Sequence, residues 1–255
     1  MNATIVAEIK EKLKEIETRH NVRVLYACES GSRAWGFPST DSDYDVRFIY
    51  ALPGNDYLSI DDIKDTIDIP VNEVLDINGW DIRKSLRLFA RSNAAVYEWI
   101  QSPIVYGKNG DFLTRLTGLM SEYFSPRDGM HHYLGVARNA FSTLTGDEIK
   151  LKKYFYCLRS LLAAMWINEK QHVPPMEFAI LRTLVTDSNW HNEIDRLLQL
   201  KAGSNESTLI KPHQLLNEFI TANIAICETQ AASAQKKETE KETLNKLFRE
   251  LIHEV

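Results

Sequence analysis

Cysteine is scarce in this 255-residue chain: Cys28, Cys157 and Cys227 lie far apart, with no CxxC pair among them. That spacing argues against a disulfide framework or a cysteine-held zinc site and suits a reducing, cytoplasmic setting. Long apolar runs are missing as well, so no segment approaches the span of a membrane helix. Residues 1–14 carry charges throughout and lack the apolar centre of a signal peptide. An excess of basic charge is also absent: 30 Lys and Arg stand against 35 Asp and Glu, a formal net charge of −5. Proteins that grip nucleic acid along its length are usually basic. The balance disfavours that class but is compatible with an enzyme touching only a 3′ end. No internal repeat is present.

What is there is ordinary globular material, 44% hydrophobic and 25% charged, enough for one large domain or two small ones. The most informative stretch runs from Gly31 to Arg47. A Gly31-Ser32 turn is followed by Asp43 and Asp45, spaced i, i+2 in a segment that reads as a strand. The strand period is two, so both carboxylates leave one face. Two carboxylates held that close repel unless a cation sits between them. Hard divalent ions such as Mg²⁺, with Mn²⁺ as the alternative, take oxygen ligands and share them with substrate phosphates. A pair of such ions stabilises the entering and leaving oxygens of a phosphoryl displacement. The turn offers backbone N–H groups and a hydroxyl to the β- and γ-phosphates, with no Cβ in the way at Gly31. Arg33 offers a forked donor to phosphate or a partner for an acid of the fold. Arg47 shares the face of Asp43 and Asp45 and either neutralises the acids or contacts substrate.

Gly-Ser, a short spacer and Asp-x-Asp resemble the signature of the DNA polymerase beta superfamily of nucleotidyltransferases. The fuller form, Gly31-Ser32-Arg33-Ala34-x-Gly36 and then Ser39-x-x-Ser42-Asp43-x-Asp45-x-Arg47, is similar to the branch found in bacterial and phage RNA repair. The resemblance continues through Gly79-Trp80-Asp81-Ile82-Arg83-Lys84 and residues 98–106, with an echo at 152–159, and so covers residues 20–170. It implies transfer of a nucleoside monophosphate from a nucleoside triphosphate such as ATP to an acceptor hydroxyl, with pyrophosphate released. The acceptor it implies is an RNA 3′ end, tRNA included. Transfer to a protein side chain or small molecule is the alternative, and a non-catalytic nucleotide-binding module is a further one. The resemblance also implies a third carboxylate, acting as base or metal ligand. Asp76, an acid inside the apolar Val74-Leu75-Asp76-Ile77 run, is preferred; Asp81, which a helix start explains, and Glu73 are the others. A helical second domain is expected to supply Lys153 and Tyr156 to the nucleotide. His131-His132 reads as surface or core edge, because adjacent helical residues point about 100° apart.

The expected fold class is α+β: a small mixed sheet with flanking helices over residues 1–110, then a C-terminal helical bundle over 111–255 that closes the cleft. Ile5, Ile9, Leu13 and Ile16 mark an opening amphipathic helix ending near Asn21. Strands are expected at 22–28, 42–50, 66–77 with an interruption at Pro70, and 104–106. Helices are expected at 81–92 and from 92 or 93 to 100. Beyond residue 110 the pattern predicts helices at 112–123, 131–144, 149–169, 175–187, 192–200 and from 212 onward. The polar stretch 230–242 leads to a last amphipathic turn around Leu244, Leu247 and Leu251.

Overall fold

In the computed structural model, which describes residues 2–69, 72, 74–235 and 237–253, the chain opens with helix α1 (Ala3–His20). Asn2 caps it by accepting the Thr4 N–H, and Asn21 ends it in the left-handed region at φ 50°, which Asn tolerates better than most residues. Ile9, Leu13 and Ile16 recur at helical spacing and are buried, pinning the helix to one face of a sheet.

The chain continues through β1 (Arg23–Ser30), the one-turn helix α2 (Gly31–Trp35), β2 (Tyr44–Ala51), β3 (Thr66–Ile69), β4 (Leu75–Asp81), α3 (Ile82–Phe89), α4 (Ala94–Trp99) and β5 (Val105–Lys108). The strands form a five-stranded sheet in the order β3-β4-β2-β1-β5. β2 runs parallel to β4 and antiparallel to β1, and the outer pairings are antiparallel. Strand alternation sorts the two faces. Val46, Phe48 and Tyr50 pack with α1, whereas Ile49 and Ala51 join a larger core on the other side. A register shift between Val24 and Tyr26 lets the successive residues Leu25 and Tyr26 both enter that larger core.

The expected 66–77 strand is two strands, β3 and β4, paired with each other; Pro70 lies outside the described residues. Asn93 caps α4 by accepting the Ala95 N–H, as the sequence suggests.

The remainder is mostly helical: α5 (Phe112–Gly118), α6 (Met120–Tyr123), α7 (Pro126–Phe141), α8 (Leu151–Lys170), α9 (Phe178–Leu181), α10 (Ser188–Ala202), α11 (Gln214–Ser233) and α12 (Glu242–His253). A short antiparallel pair, β6 (Ile149–Lys150) with β7 (Leu209–Ile210), is an addition to the expected pattern. The expected 175–187 helix shrinks to α9 and one 3₁₀ turn, Arg182–Leu184. Asp187 instead caps α10, accepting from Asn189 and Trp190 N–H, and a capping residue cannot also continue a preceding helix. Leu244, Leu247 and Leu251 are the buried stripe of α12, and Phe248 meets the ring of Tyr57 at 5.0 Å. The larger core draws on both sides of residue 110, from Tyr26 and Trp99 to Phe155, Trp190 and Leu251. Among the described residues no helix is long and apolar enough to cross a membrane.

Candidate active site

β1 ends where β2 begins, with Ser30 opposite Asp45. The chain turns there through Gly31 at φ +61°. A Cβ on Gly31 would lie 2.0 Å from Asp45 Oδ2, so only glycine lets the turn sit against that carboxylate. Asp43, exposed, stands just before β2, and Asp45, half-buried, stands within it. Burial pushes the Asp45 carboxyl up; Arg47 opposes this, and the nearby charges of Asp43, Asp76 and Glu206 add to it.

The parallel register places Asp76 beside Asp45, Asn78 beside Arg47 and Asp81 beside Tyr50. Asp76 therefore shares the acid face, and Asp81 belongs to the opposite one. Asp81 caps α3, accepting from Arg83 N–H at 2.8 Å and from the Tyr57 hydroxyl at 2.6 Å. Glu73 lies outside the described residues. Arg47 joins the two acids that the register brings together: Nη2 donates to Asp45 Oδ1 at 3.1 Å and to Asp76 Oδ2 at 2.7 Å. Among the described residues no three His, Cys, Asp or Glu side chains are grouped as a ready cation site; a guanidinium stands between Asp45 and Asp76.

Beneath the strand, Glu29 is fully buried and accepts the Asp45 N–H at 2.8 Å and the Tyr106 hydroxyl. Burial pushes its carboxyl up to about 7, although both hydrogen bonds oppose the rise.

Arg33 is committed to the turn. Its Nε donates to the Asp43 carbonyl at 2.9 Å, another guanidinium nitrogen donates to the Ser42 carbonyl, and the guanidinium lies 4.0 Å from the centre of the Tyr44 ring. It thereby shapes the approach to the acid strand. Ser32 Oγ donates to Ser42 Oγ at 3.2 Å, which donates in turn to Glu206 Oε1 at 2.7 Å, 164 residues away.

That last bond belongs to a brace that sequence reasoning missed. The loop after α10 presents Glu206 to Lys152 at 3.1 Å and to Lys201 at 3.4 Å. Lys201, buried to 1% exposure, donates to Ser39 Oγ at 2.6 Å. The Ser204 carbonyl accepts from Thr40 N–H at 3.0 Å. Burial lowers the Lys201 ammonium, with Glu206 opposing. Burial would raise Glu206, but Ser42, Lys152 and Lys201 hold it below the usual range. The Ser39-x-x-Ser42 spacing is the one local trace of this network, since Ser42 Oγ accepts the Ser39 N–H at 2.9 Å.

From α8, the Tyr156 ring packs edge-on against Trp35; burial raises its phenol, and the charges of Glu206, Asp45 and Asp43 raise it further. Lys153, partly exposed, stands one helical turn from it on the same side. His131 and His132 are exposed. Arg83 lies over the Tyr57 ring at 5.3 Å, and Lys84 pairs with Asp65 at 3.0 Å, so both serve the fold here. The structure thus gathers Gly31, Ser32, Asp43, Asp45 and Asp76 around one end of the sheet, with hard oxygen donors and Arg47 paired to two of the acids.

Comparison with known proteins bears on this arrangement. Residues 5–250 match the family RlaP, described as the RNA repair pathway DNA polymerase beta family. The uncharacterized protein YcgL of Bacillus subtilis is 42% identical over 251 residues, 97% of this chain and 96% of that one. A shorter likeness, 24% identical over 125 residues, covers 48% of this chain and 12% of the Drosophila melanogaster tRNA (34-2′-O)-methyltransferase regulator WDR6. The crystal structure of a nucleotidyltransferase-like protein from Exiguobacterium sibiricum aligns with 95% of this chain and 80% of its own, at 13% identity and a TM-score of 0.33. With its family matched across almost its whole length, the chain belongs to the RNA repair pathway DNA polymerase beta family and is a nucleotidyltransferase of that type.

Proposed function

We propose that this enzyme moves a nucleoside monophosphate from a nucleoside triphosphate, ATP among them, onto the terminal hydroxyl of an RNA 3′ end, with tRNA as the first candidate. The bond broken joins the α- and β-phosphates, the bond formed joins the acceptor oxygen to the α-phosphorus, and pyrophosphate leaves. The observation that carries this reading is the contact of the Gly31 turn with the Asp45 carboxylate, beside Asp76 on the same face. A triphosphate held by the turn would bring its α-phosphate to those acids.

Asp43, Asp45 and Asp76 are the candidate ligands of Mg²⁺ or Mn²⁺, and their hard oxygens suit such ions. When bound, a pair of ions supplies charge neutralisation at the entering and leaving oxygens. Arg47 already holds Asp76 Oδ2, so an ion would bind Asp76 through Oδ1 or once the Arg47 side chain moves away. In this reading Asp76 accepts the proton of the attacking hydroxyl. Gly31 N–H and the Ser32 hydroxyl receive the β- and γ-phosphates. Arg33 acts by holding the turn, and Lys153 and Tyr156 contact the nucleotide from α8. Residues 1–110 act as the catalytic domain, and residues 111–255 form the helical wall of the cleft. The three buried thiols fit a reducing cytoplasm.

The test is incubation of the protein with labelled nucleoside triphosphates and Mg²⁺, in separate mixtures of total RNA and lysate protein. Label should enter RNA, vanish when the 3′ ends are oxidised with periodate, and be absent with Asp45→Asn although that variant remains folded. Label in protein alone would move the acceptor to a protein side chain. Undiminished transfer by Asp45→Asn would overturn the assignment.

A further inference from the structure

A cavity of 180 Å³ lies among Trp35, Glu98, Tyr133, Val136, Tyr156 and Arg159. Roughly 150 Å³ is enough to admit a benzene-sized ring. The walls are suited to one: the Trp35 and Tyr156 rings stand 5.3 Å apart at 90°, and the Arg159 guanidinium lies 4.4 Å from the centre of the Trp35 ring.

Arg159 is 3% exposed. Its Nε donates to the Met176 carbonyl at 3.1 Å and its Nη1 to Glu98 Oε1 at 2.9 Å, while its Nη2 is buried without a hydrogen-bond partner. Native structures rarely leave such a donor unmet. Glu98 already receives the Tyr133 hydroxyl at 2.8 Å and Trp35 Nε1 at 3.3 Å in addition to Arg159. His132 and Ser160 also line the cavity, so its wall carries polar groups able to donate or to accept.

The cavity shares its walls with the acid site. Trp35 stands four residues after Gly31 on α2, a rise of about 6 Å. Tyr156 lines the cavity and feels the charges of Asp43 and Asp45.

We propose that this cavity receives the base of the nucleoside triphosphate, stacked against Trp35 or Tyr156. The inference rests on the phosphate placement proposed above.

Calorimetric titration of the full chain in Mg²⁺ with each of the four ribonucleoside triphosphates, and with inorganic tripolyphosphate, tests it. The preferred nucleotide should bind tighter than tripolyphosphate by about tenfold or more, the scale of one base stacking on an aromatic residue. Val136, 41% exposed, tolerates enlargement, and Val136→Trp fills the cavity from its rim; the ratio of nucleotide to tripolyphosphate affinity should fall to parity. An unchanged ratio in Val136→Trp, or wild-type protein that binds every nucleotide no tighter than tripolyphosphate, would overturn the base site. Tripolyphosphate binding lost in Asp45→Asn would leave the phosphate reading standing in that case. Failure of tripolyphosphate to bind wild-type protein would remove both.

Discussion

Replacing Gly31 by alanine probes how tightly the turn is pressed against the acid strand. At φ +61° an L-residue pays about 1–2 kcal/mol for the left-handed backbone. The new Cβ would also lie 2.0 Å from Asp45 Oδ2 and 2.9 Å from Cγ, so the carboxylate must turn away. Turning away breaks the 3.1 Å contact with Arg47, a hydrogen bond between charged groups worth about 1.5–3 kcal/mol. Gly31→Ala should therefore lose roughly 2.5–5 kcal/mol. In an Asp45→Ala background the nearest atom left is Cβ of residue 45, at 3.4 Å, an ordinary contact. There Gly31→Ala should cost only the backbone strain, about 1–2 kcal/mol. Urea unfolding of the four proteins, metal-free and at one pH, gives the coupling between the sites, expected at about 1.5–3 kcal/mol. A cycle additive within about 0.5 kcal/mol would refute the argument that turn and carboxylate are in forced contact.

Glu29 gives a pH signature. Its carboxyl is pushed up from 4.5 to about 7 by burial, so its contribution is fully present below pH 4.5 and is lost as pH rises through 7. The loss amounts to about 3 kcal/mol. Glu29→Gln in metal-free buffer should flatten the decline in stability across that window, and a variant declining as steeply as the parent would contradict it. The thiols give a second signature. Burial pushes Cys28 and Cys157 up to about 12 and Cys227 up to about 11, so thiolate is scarce at pH 8. A disulfide reagent should label none of the three until urea unfolds the protein; rapid labelling of any of them in the native state would show that its surroundings are more open than described.

The features legible in the sequence were those with a short period. The Gly31 turn, Asp45 within its strand and the helical stripe of α1 are local patterns that the structure keeps, whereas Asp43, expected in the same strand, falls just before β2. A local pattern, an acid inside an apolar run, favours Asp76 over Glu73 and Asp81, but which face each acid occupies is set by pairing that no local pattern carries. β4 pairs in parallel with β2, skipping the intervening strand β3, and that register sets Asp76 beside Asp45 while turning Asp81 to the other face. Arg33 illustrates a different limit: its forked donor is suited to phosphate, but carbonyls of the neighbouring loop already occupy two of its nitrogens. Glu206 and Lys201 were invisible because their partners lie more than 160 residues away, and nothing in the composition of the 203–208 loop marks it as part of a site.

The bond from Ser42 to Glu206 spans 164 residues, which has a consequence for biosynthesis. Nascent chains fold from the N-terminus as they emerge, so the strands bearing the aspartates are made early. The segment that steadies their entry is made late. A chain interrupted between the two segments therefore carries the acids without the brace that Glu206 supplies.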